Sequence, residues 1–295
     1  MFGRSAGLFT KHHLKFKILI VLTGILILNC INPTEQTDQR INFSVLDVGQ
    51  GTSQLIHCGT SAILVDIGPF EGYQSFLTAY TKAGSPKLEY IVISHSDLDH
   101  CGGLKAIDNS IDWSGDLVIT TCEDTTYLKT LLRNWSKEVH FITIHENDTL
   151  YLEKDVFAHC LWPQDCYDDV LNSVSSSDKN GNSIVLKIVA GFTSAMITSD
   201  IDSTVQRDLI SRYGTTLKAD IIVANHHGSS DFLPLFYDFV DASYTVLSYG
   251  VGNSYNHPSA RLLNYLYRTD TKIRETALNG SVWFESNLFY WVENK

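Results

Sequence analysis

The sequence predicts a sheet-rich α/β sandwich. Three observations lead there. Short β-branched and aromatic runs recur from residue 41 to the end, helical patterns recur between them, and the strand-like runs outnumber the helical ones. A hydrophobic content of 44% and a charged content of 19% describe a chain able to bury a core. No internal repeat is visible.

Each element has a local reason. Residues 43–47, 53–57 and 62–66 read as consecutive strands closed by Gly-containing turns. Residues 73–83 read as a helix and 88–93 as a buried strand, because the latter run is apolar and β-branched. Residues 117–120, 139–144 and 156–162 add strands, with a helix near 125–135. Residues 172–182 are rich in Ser, Asn and Gly and predict a loop. Residues 183–189 and 193–197 predict a hairpin. A helix over 204–213 follows, with Asp202 or Ser203 as its cap. Strands at 221–224 and 244–247, a helix after Pro258 and strands from 276 to the end complete the chain.

The first 29 residues have a different character. Lys11, Lys15 and Lys17 flank an apolar run at 18–28 that only Thr23 and Gly24 soften. That run has the size of a signal-peptide core and is short for a bilayer span. Ile27-Leu28-Asn29-Cys30 resembles a bacterial lipobox, with Asn29 in place of the usual small residue. An uncleaved membrane anchor is the alternative. The organisation expected is therefore a signal peptide or anchor at 1–29, a linker at 30–40 and one domain at 41–295. The chain would be exported and held in the cell envelope through a lipid or an anchor.

Charge limits the partners. The formal net charge is −11. Removing residues 1–29 would take Arg4, Lys11, Lys15 and Lys17 and leave 18 of the 22 basic residues against 33 acidic ones. Long nucleic acid is bound through neutralised phosphates and wants a basic face. The balance here disfavours it and favours a small or short substrate. Cys58, Cys101, Cys122, Cys160 and Cys166 form no CxxC pair. Cys160 and Cys166 are close enough in sequence to pair in an oxidising compartment; buried or free thiols are the alternative.

The chemistry concentrates after the buried strand that ends near Ile93. His95, Asp97, Asp99 and His100 place four potential metal ligands within six residues, followed by Gly102-Gly103. Imidazole and carboxylate suit divalent zinc or manganese. Asp99 and His100 are adjacent, so their side chains diverge and can serve two ions. His95 and Asp97 are two apart and can face the same side of an extended segment. The Gly pair lets the chain turn sharply.

This HxDxDHxGG segment resembles the metallo-β-lactamase fold, and specifically its ComEC-like branch, typified by the C-terminal domain of the competence DNA-uptake protein. Leu46-Asp47-Val48-Gly49-Gln50-Gly51 resembles the branch's opening DVGQGD, with Thr52 where Asp is usual. Leu64 to Gly68 resembles its DxG strand end. Asn182 to Leu186 resembles NxSxVL, and Ile197-Thr198-Ser199-Asp200 resembles TGD with Ser199 for Gly. Ala224 to Ser229 resembles PHHGS, and Ser248 through Pro258 resembles SxGxxNxYxHP. The motifs occur in the family's order over residues 41–285.

The resemblance implies an αββα sandwich and two divalent ions, zinc or else manganese. His95 and Asp97 would hold one ion, Asp99, His100 and His226 the second, and Asp200 would bridge them. A metal-bridged hydroxide would then attack a phosphorus or carbonyl centre. His227 would contact substrate; the reverse assignment of His226 and His227 is the alternative. His257 would donate to a phosphoryl oxygen or the leaving group, or else cap the following helix. Asp66 would orient a His ligand or simply close a turn, and Asp47 and Gln50 would brace the first loop near the site. Asn182 and Ser183 stand where many members of the wider fold carry a third His, which leaves the first ion fewer protein ligands. The expected activity is phosphodiester hydrolysis, with ester, thioester or β-lactam hydrolysis and a non-catalytic envelope lipoprotein as alternatives.

Overall fold

A computed structural model describes residues 40–164 and 179–294. Fifteen strands are formed among them. In chain order they are β1 (Ile41–Val45), β2 (Gln54–Cys58), β3 (Ser61–Val65), β4 (Lys87–Val92), β5 (Asp116–Ile119), β6 (His140–Thr143), β7 (Thr149–Glu153) and β8 (Val156–Trp162). Then come β9 (Val185–Ala190), β10 (Thr193–Ile197), β11 (Ile221–Val223), β12 (Tyr244–Leu247), β13 (Lys272–Glu275), β14 (Val282–Ser286) and β15 (Trp291–Asn294). One sheet has the order β15-β14-β1-β2-β3-β4-β5-β6, and the other β13-β12-β11-β10-β9-β8-β7.

Period-two alternation sorts the side chains into three apolar layers. Phe43, Val45, Ile63, Val65 and Val92 face Ile188, Ala195, Ile197, Ile221 and Val223 between the sheets. Their sequence neighbours Leu64, Ile91 and Leu117 point outward, onto Phe76, Ala79 and Tyr80 of the helix Tyr73–Lys82 and onto Leu128 of the helix Thr125–Leu131. Met196, Ile222 and Leu247 of the second sheet pack on Val205 and Leu209 of the helix Ser203–Tyr213, and on Phe236 and Leu262 of the helices Pro234–Val240 and Ala260–Leu266. The architecture is the expected αββα sandwich.

The strands β3, β4 and β5 run parallel in one sheet and β10, β11, β12 and β13 in the other. Their C-terminal ends meet at one end of the sandwich, and the candidate residues lie there. The short N-terminal turns and hairpin tips form the opposite end.

Several local expectations move. The first three strands are shifted by one or two residues. The strands β7 and β13 and the helix Pro234–Val240, with Pro at its first turn, were not expected. Residues Thr276–Asn279 form a short helix rather than a strand, because the chain must turn from the end of β13 across to β14. The 172–182 loop lies mostly outside the described residues, as do the signal and linker segments. Cys160 is free and buried, its thiol directed at the carbonyl of Trp162, so the Cys160–Cys166 pairing does not form. Cys122 is disulfide-bonded.

Candidate metal centre

The site begins with two strand ends. The chain leaves β3 at Asp66, which takes a left-handed backbone (φ 54°) and is fully buried. Its Oδ1 accepts from the Ser94 N–H at 2.8 Å and its Oδ2 from the Ser94 hydroxyl at 2.8 Å. Oδ2 also accepts from His100 Nδ1 at 2.7 Å. That bond fixes the tautomer of His100 and turns its Nε2 inward. Ser94 Oγ lies 3.1 Å from Nδ1 of His95. His100 sits in the one-turn helix Leu98–Cys101, whose start is set by the carbonyl of Asp97 accepting from His100 and Cys101 N–H.

The first loop presses on this turn. Thr52 N–H donates to the Asp99 carbonyl at 3.2 Å, and a Cβ on Gly51 would lie 2.3 Å from that same oxygen. Only glycine permits the approach, which is what the GQG segment supplies. Gln50 Oε1 accepts from Gly250 N–H at 3.1 Å, tying the loop to the chain after β12. Asp47 braces the first loop from within, as a turn residue. Its Oδ1 accepts from Gly49 N–H at 3.3 Å, and the residue lines a cleft with Lys82, Ser281 and Trp283. It closes its own turn.

The second sheet supplies the rest. Asp200 follows Ser199, whose left-handed backbone (φ 47°) explains why the family pattern has Gly there. His226 and His227 follow β11, and both are left-handed, with φ 46° and 55°. Such backbone persists only when its surroundings over-determine it. Here Asn225 does so: its amide donates to the carbonyls of Ile201 and Asp231 at 3.0 Å each and accepts from Tyr237 O–H at 2.8 Å.

This turn decides between the two histidines. His227 is buried at 3% exposure, its Nδ1 donates to the Ser248 carbonyl at 2.9 Å, and its Nε2 lies 3.2 Å from Asp99 Oδ2. The His226 side chain is about one-third exposed, with Nε2 3.6 Å from Asp200 Oδ2. The position expected for His226, beside Asp99 and His100, is occupied by His227. The side chains do diverge as neighbours should, but the chain has left the extended conformation from which strand parity would be counted.

Five groups converge. Nε2 of His100 is 3.2 Å from Asp200 Oδ1, and Nε2 of His95 is 3.9 Å from Asp200 Oδ2. His95, His100 and Asp200 present ligand atoms within 4.8 Å of one another, and so do Asp99, His100 and His227. The Nε2 atoms of His95, His100 and His227 are buried and have no hydrogen-bond partner. Three orphaned imidazole nitrogens facing two carboxylates are costly as they stand. They have the chemistry of a divalent-cation cradle, and the residues fit one.

The electrostatics of the protein groups alone show how tightly they are coupled. Burial and the neighbouring His100 push His95 down to about 4. Burial opposes a charge on His100, yet Asp200 and Asp66 hold it well above the ordinary value. Burial opposes ionisation of Asp99 too, and the facing His227 imidazole, with the charge of His100, nevertheless holds it at about 2. Asp200 is likewise held well below the carboxylate range against its burial, by His100 and His227.

Beside the cluster lies an open cleft of about 610 Å³, lined in part by Phe70, Asp97, Lys105, Tyr127, Lys179 and Tyr255. Asp97 is at its edge, 43% exposed, with Oδ1 2.9 Å from Lys179 Nζ and Oδ2 3.7 Å from His95 Nε2. Ser96 N–H donates to Glu123 at 3.2 Å. His257 sits between the cleft and the cluster. Its ring centroid is 5.5 Å from that of His226 and 6.1 Å from that of His227, and it stacks on Tyr255. Burial, then the neighbouring histidines, lower it to about 4. Sequence reasoning missed Lys179, Lys105, Ser94 and Glu123. Lys179 follows a low-complexity stretch and no local pattern marks it; the serine in Ser94-His95 had a signal, since a hydroxyl beside a ligand is placed to orient it.

Comparisons with known proteins bear on the fold and the family resemblance. The model of the metallo-beta-lactamase superfamily matches residues 46–129. Competence protein ComA of Neisseria gonorrhoeae is 27% identical over 85% of this chain and 33% of its own length. ComE operon protein 3 of Bacillus subtilis is 23% identical over 81% of this chain and 32% of its own length. The chain thus spans about a third of the length of these relatives. Among solved structures, the metallo-beta-lactamase fold protein YhfI from Bacillus subtilis superposes with a TM-score of 0.52 at 12% identity, covering 83% of this chain and all of that one. The likeness to YhfI concerns the fold alone. No helix among the described residues is long and apolar enough to cross a membrane. The chain has the metallo-β-lactamase fold and is similar in sequence, over most of its length, to ComEC-like competence proteins.

Proposed function

We propose that this protein is a metal-dependent phosphodiesterase acting on a short or small substrate. The observation that carries the reading is the convergence of three orphaned, buried imidazole Nε2 atoms on Asp99 and Asp200. His95, Asp97 and Asp200 would hold one divalent ion and Asp99, His100 and His227 the other, with zinc or manganese suited to the donors. Such ions, when bound, lower the pKa of water and offset charge on a phosphoryl oxygen. Asp66 keeps His100 in the tautomer that presents Nε2. The Ser248 carbonyl does the same for His227.

The cleft favours a phosphodiester over an ester or lactam. Lys179 and Lys105 offer cations at its wall, while Phe70, Tyr127 and Tyr255 offer faces on which a planar or apolar group can rest. His226, about one-third exposed beside Asp200, and His257, held neutral, each have an N–H for a phosphoryl oxygen. The acidic balance of the chain supports a short substrate rather than a long strand. Residues 1–29 and the linker support export and attachment to the envelope.

The test is metal content together with hydrolysis of bis-p-nitrophenyl phosphate, a p-nitrophenyl ester and a chromogenic cephalosporin, with zinc or manganese added. Turnover of the phosphodiester that is lost in His95→Ala/Asp200→Ala supports the reading. Preference for the ester or the lactam, or well-folded protein that takes up no metal, overturns it.

A further inference from the structure

The end of the sandwich remote from the metal-binding cluster carries exposed aromatic rings that the proposed activity does not use. Phe192 is 83% exposed, Phe289 68% and Tyr290 60%. Phe192 belongs to the β9–β10 turn of one sheet, and Phe289 and Tyr290 to the β14–β15 turn of the other. The rings of Phe192 and Phe289 stack, with centroids 5.6 Å apart and planes at 25°.

A scaffold holds them out. Phe192 N–H donates to the Leu288 carbonyl at 2.7 Å, joining the two turns. Asn287 Oδ1 accepts from the N–H groups of Phe289 and Tyr290 at 3.2 and 3.3 Å. The hydroxyls of Thr193 and Ser286 are 3.0 Å apart. A Cβ on Gly191 would lie 2.7 Å from the Leu288 carbonyl, so the close approach of the two turns requires glycine. The rings are thus presented together, across both sheets, on a braced platform rather than on loose tips. Phe192 and Phe289 form one exposed apolar surface with Tyr290 next in sequence, a composition suited to contact with something apolar.

The course of the chain points to what that is. Ile41, the first residue of β1, pairs with Ser286, which directly precedes the aromatic turn. The chain therefore enters the domain at the edge of the platform. Residues 29–40 are all that separate this point from the apolar run 18–28 and its basic flank. Twelve extended residues reach at most about 40 Å. A bilayer that holds the run is tied to the platform end of the domain.

We infer that Phe192, Phe289 and Tyr290 dock the domain on a lipid bilayer, leaving the metal-binding cluster facing away into water. The inference rests on the N-terminal run residing in the membrane. Aromatic rings partition to the bilayer interface, where an apolar body and a polar edge are both satisfied. Charges beside the platform are mixed: Arg40 is paired with Glu285 at 2.9 Å, and Lys154 and Asp155 adjoin the Gly191 turn. Neither sign dominates, so zwitterionic lipid suffices.

The full-length chain in phosphatidylcholine vesicles tests this, with and without brominated acyl chains that quench nearby tryptophan. Phe289→Trp and Phe192→Trp are compared with Val251→Trp, a position 81% exposed at the other end of the sandwich. Emission is taken as the difference from the parent protein. The added tryptophan at 289 or 192 is expected to lose about half its emission in brominated vesicles, as an interfacial ring should, while that at 251 is unchanged. Protein that floats with the vesicles but shows no quenching at 289 or 192 overturns the docking surface and leaves anchoring intact. Protein that does not float overturns both. Quenching at 251 alone overturns the inference by turning the catalytic end toward the bilayer. A dimer in detergent that Phe192→Ser/Phe289→Ser dissolves assigns the platform to a second copy instead, and overturns it too.

Discussion

His100 and Asp66 are joined by a 2.7 Å hydrogen bond between Nδ1 and Oδ2, and neither side chain has any exposed surface. A buried carboxylate in this position holds the ring in one tautomer and raises the basicity of the opposite nitrogen. Asp66→Asn keeps the volume but removes the acceptor's charge. Metal affinity is expected to fall by about 10–100-fold. A competition titration against a chromogenic chelator measures this, and unchanged affinity would show that Asp66 serves only the turn.

The two adjacent histidines separate by experiment. His227→Ala is expected to lose about one ion per chain and at least about 100-fold in kcat, since one face of the cradle is removed. His226→Ala is expected to keep both ions and to raise KM. Elemental analysis of the two purified variants decides it; loss of metal in His226→Ala alone would return the ligand role to His226.

Gly51 and Gly49 both lie at positive φ but differ in surroundings. A methyl group at Gly51 meets the Asp99 carbonyl at 2.3 Å, whereas one at Gly49 meets nothing within 4 Å. Gly49→Ala is expected to cost about 1 kcal/mol, the left-handed penalty alone. Gly51→Ala should cost about 2–3 kcal/mol and lower activity, because the Asp99 turn must move. Denaturant melts of both variants check the difference, and equal losses would refute the close approach.

Lys179 meets Asp97 across the mouth of the cleft, and both side chains are more than 40% exposed. An exposed pair contributes little to stability, below about 1 kcal/mol. Lys179→Gln should therefore melt like the parent while raising KM for a phosphodiester several-fold, roughly the loss of one charge-assisted contact. A neutral ester substrate should show no such rise. Equal changes for both substrates would argue against phosphate contact.

Far from the site, Glu146 accepts from Tyr213 O–H at 2.7 Å and from Gln164 at 2.9 Å. Burial pushes its carboxyl up, but these bonds and Arg212 hold it below the usual glutamate value. A depressed carboxylate contributes stability that is present above its unfolded pKa and lost as pH falls through the folded one. Tyr213→Phe is therefore expected to cost about 1 kcal/mol at pH 7, a difference that shrinks at pH values below the folded pKa. Urea unfolding at pH 7 and in acid gives the comparison; a pH-independent loss would place the contribution in packing.

The sequence by itself determined the fold class and named most of the side chains that gather at one end of the sandwich. The runs at 43–47, 62–66 and 88–93 read as strands, within one or two residues of where they form, because β-branched and aromatic composition and the period of two are local properties. His95, Asp97, Asp99 and His100 follow one strand end within six residues, so their proximity needed no tertiary information. Asp200 and the two adjacent histidines could be named because other strand ends carried the matching motifs. Only the tertiary structure decided which histidine turns inward, since the left-handed turn at His226 and His227 is held by Asn225 through contacts with Ile201, Asp231 and Tyr237. It also placed Lys179 beside Asp97, a separation of 82 residues. It set Phe192 against Phe289, from opposite sheets. The reason is the same in each case: side-chain direction within a strand is fixed by backbone chirality, whereas the meeting of two chain ends is fixed by which layers pack together.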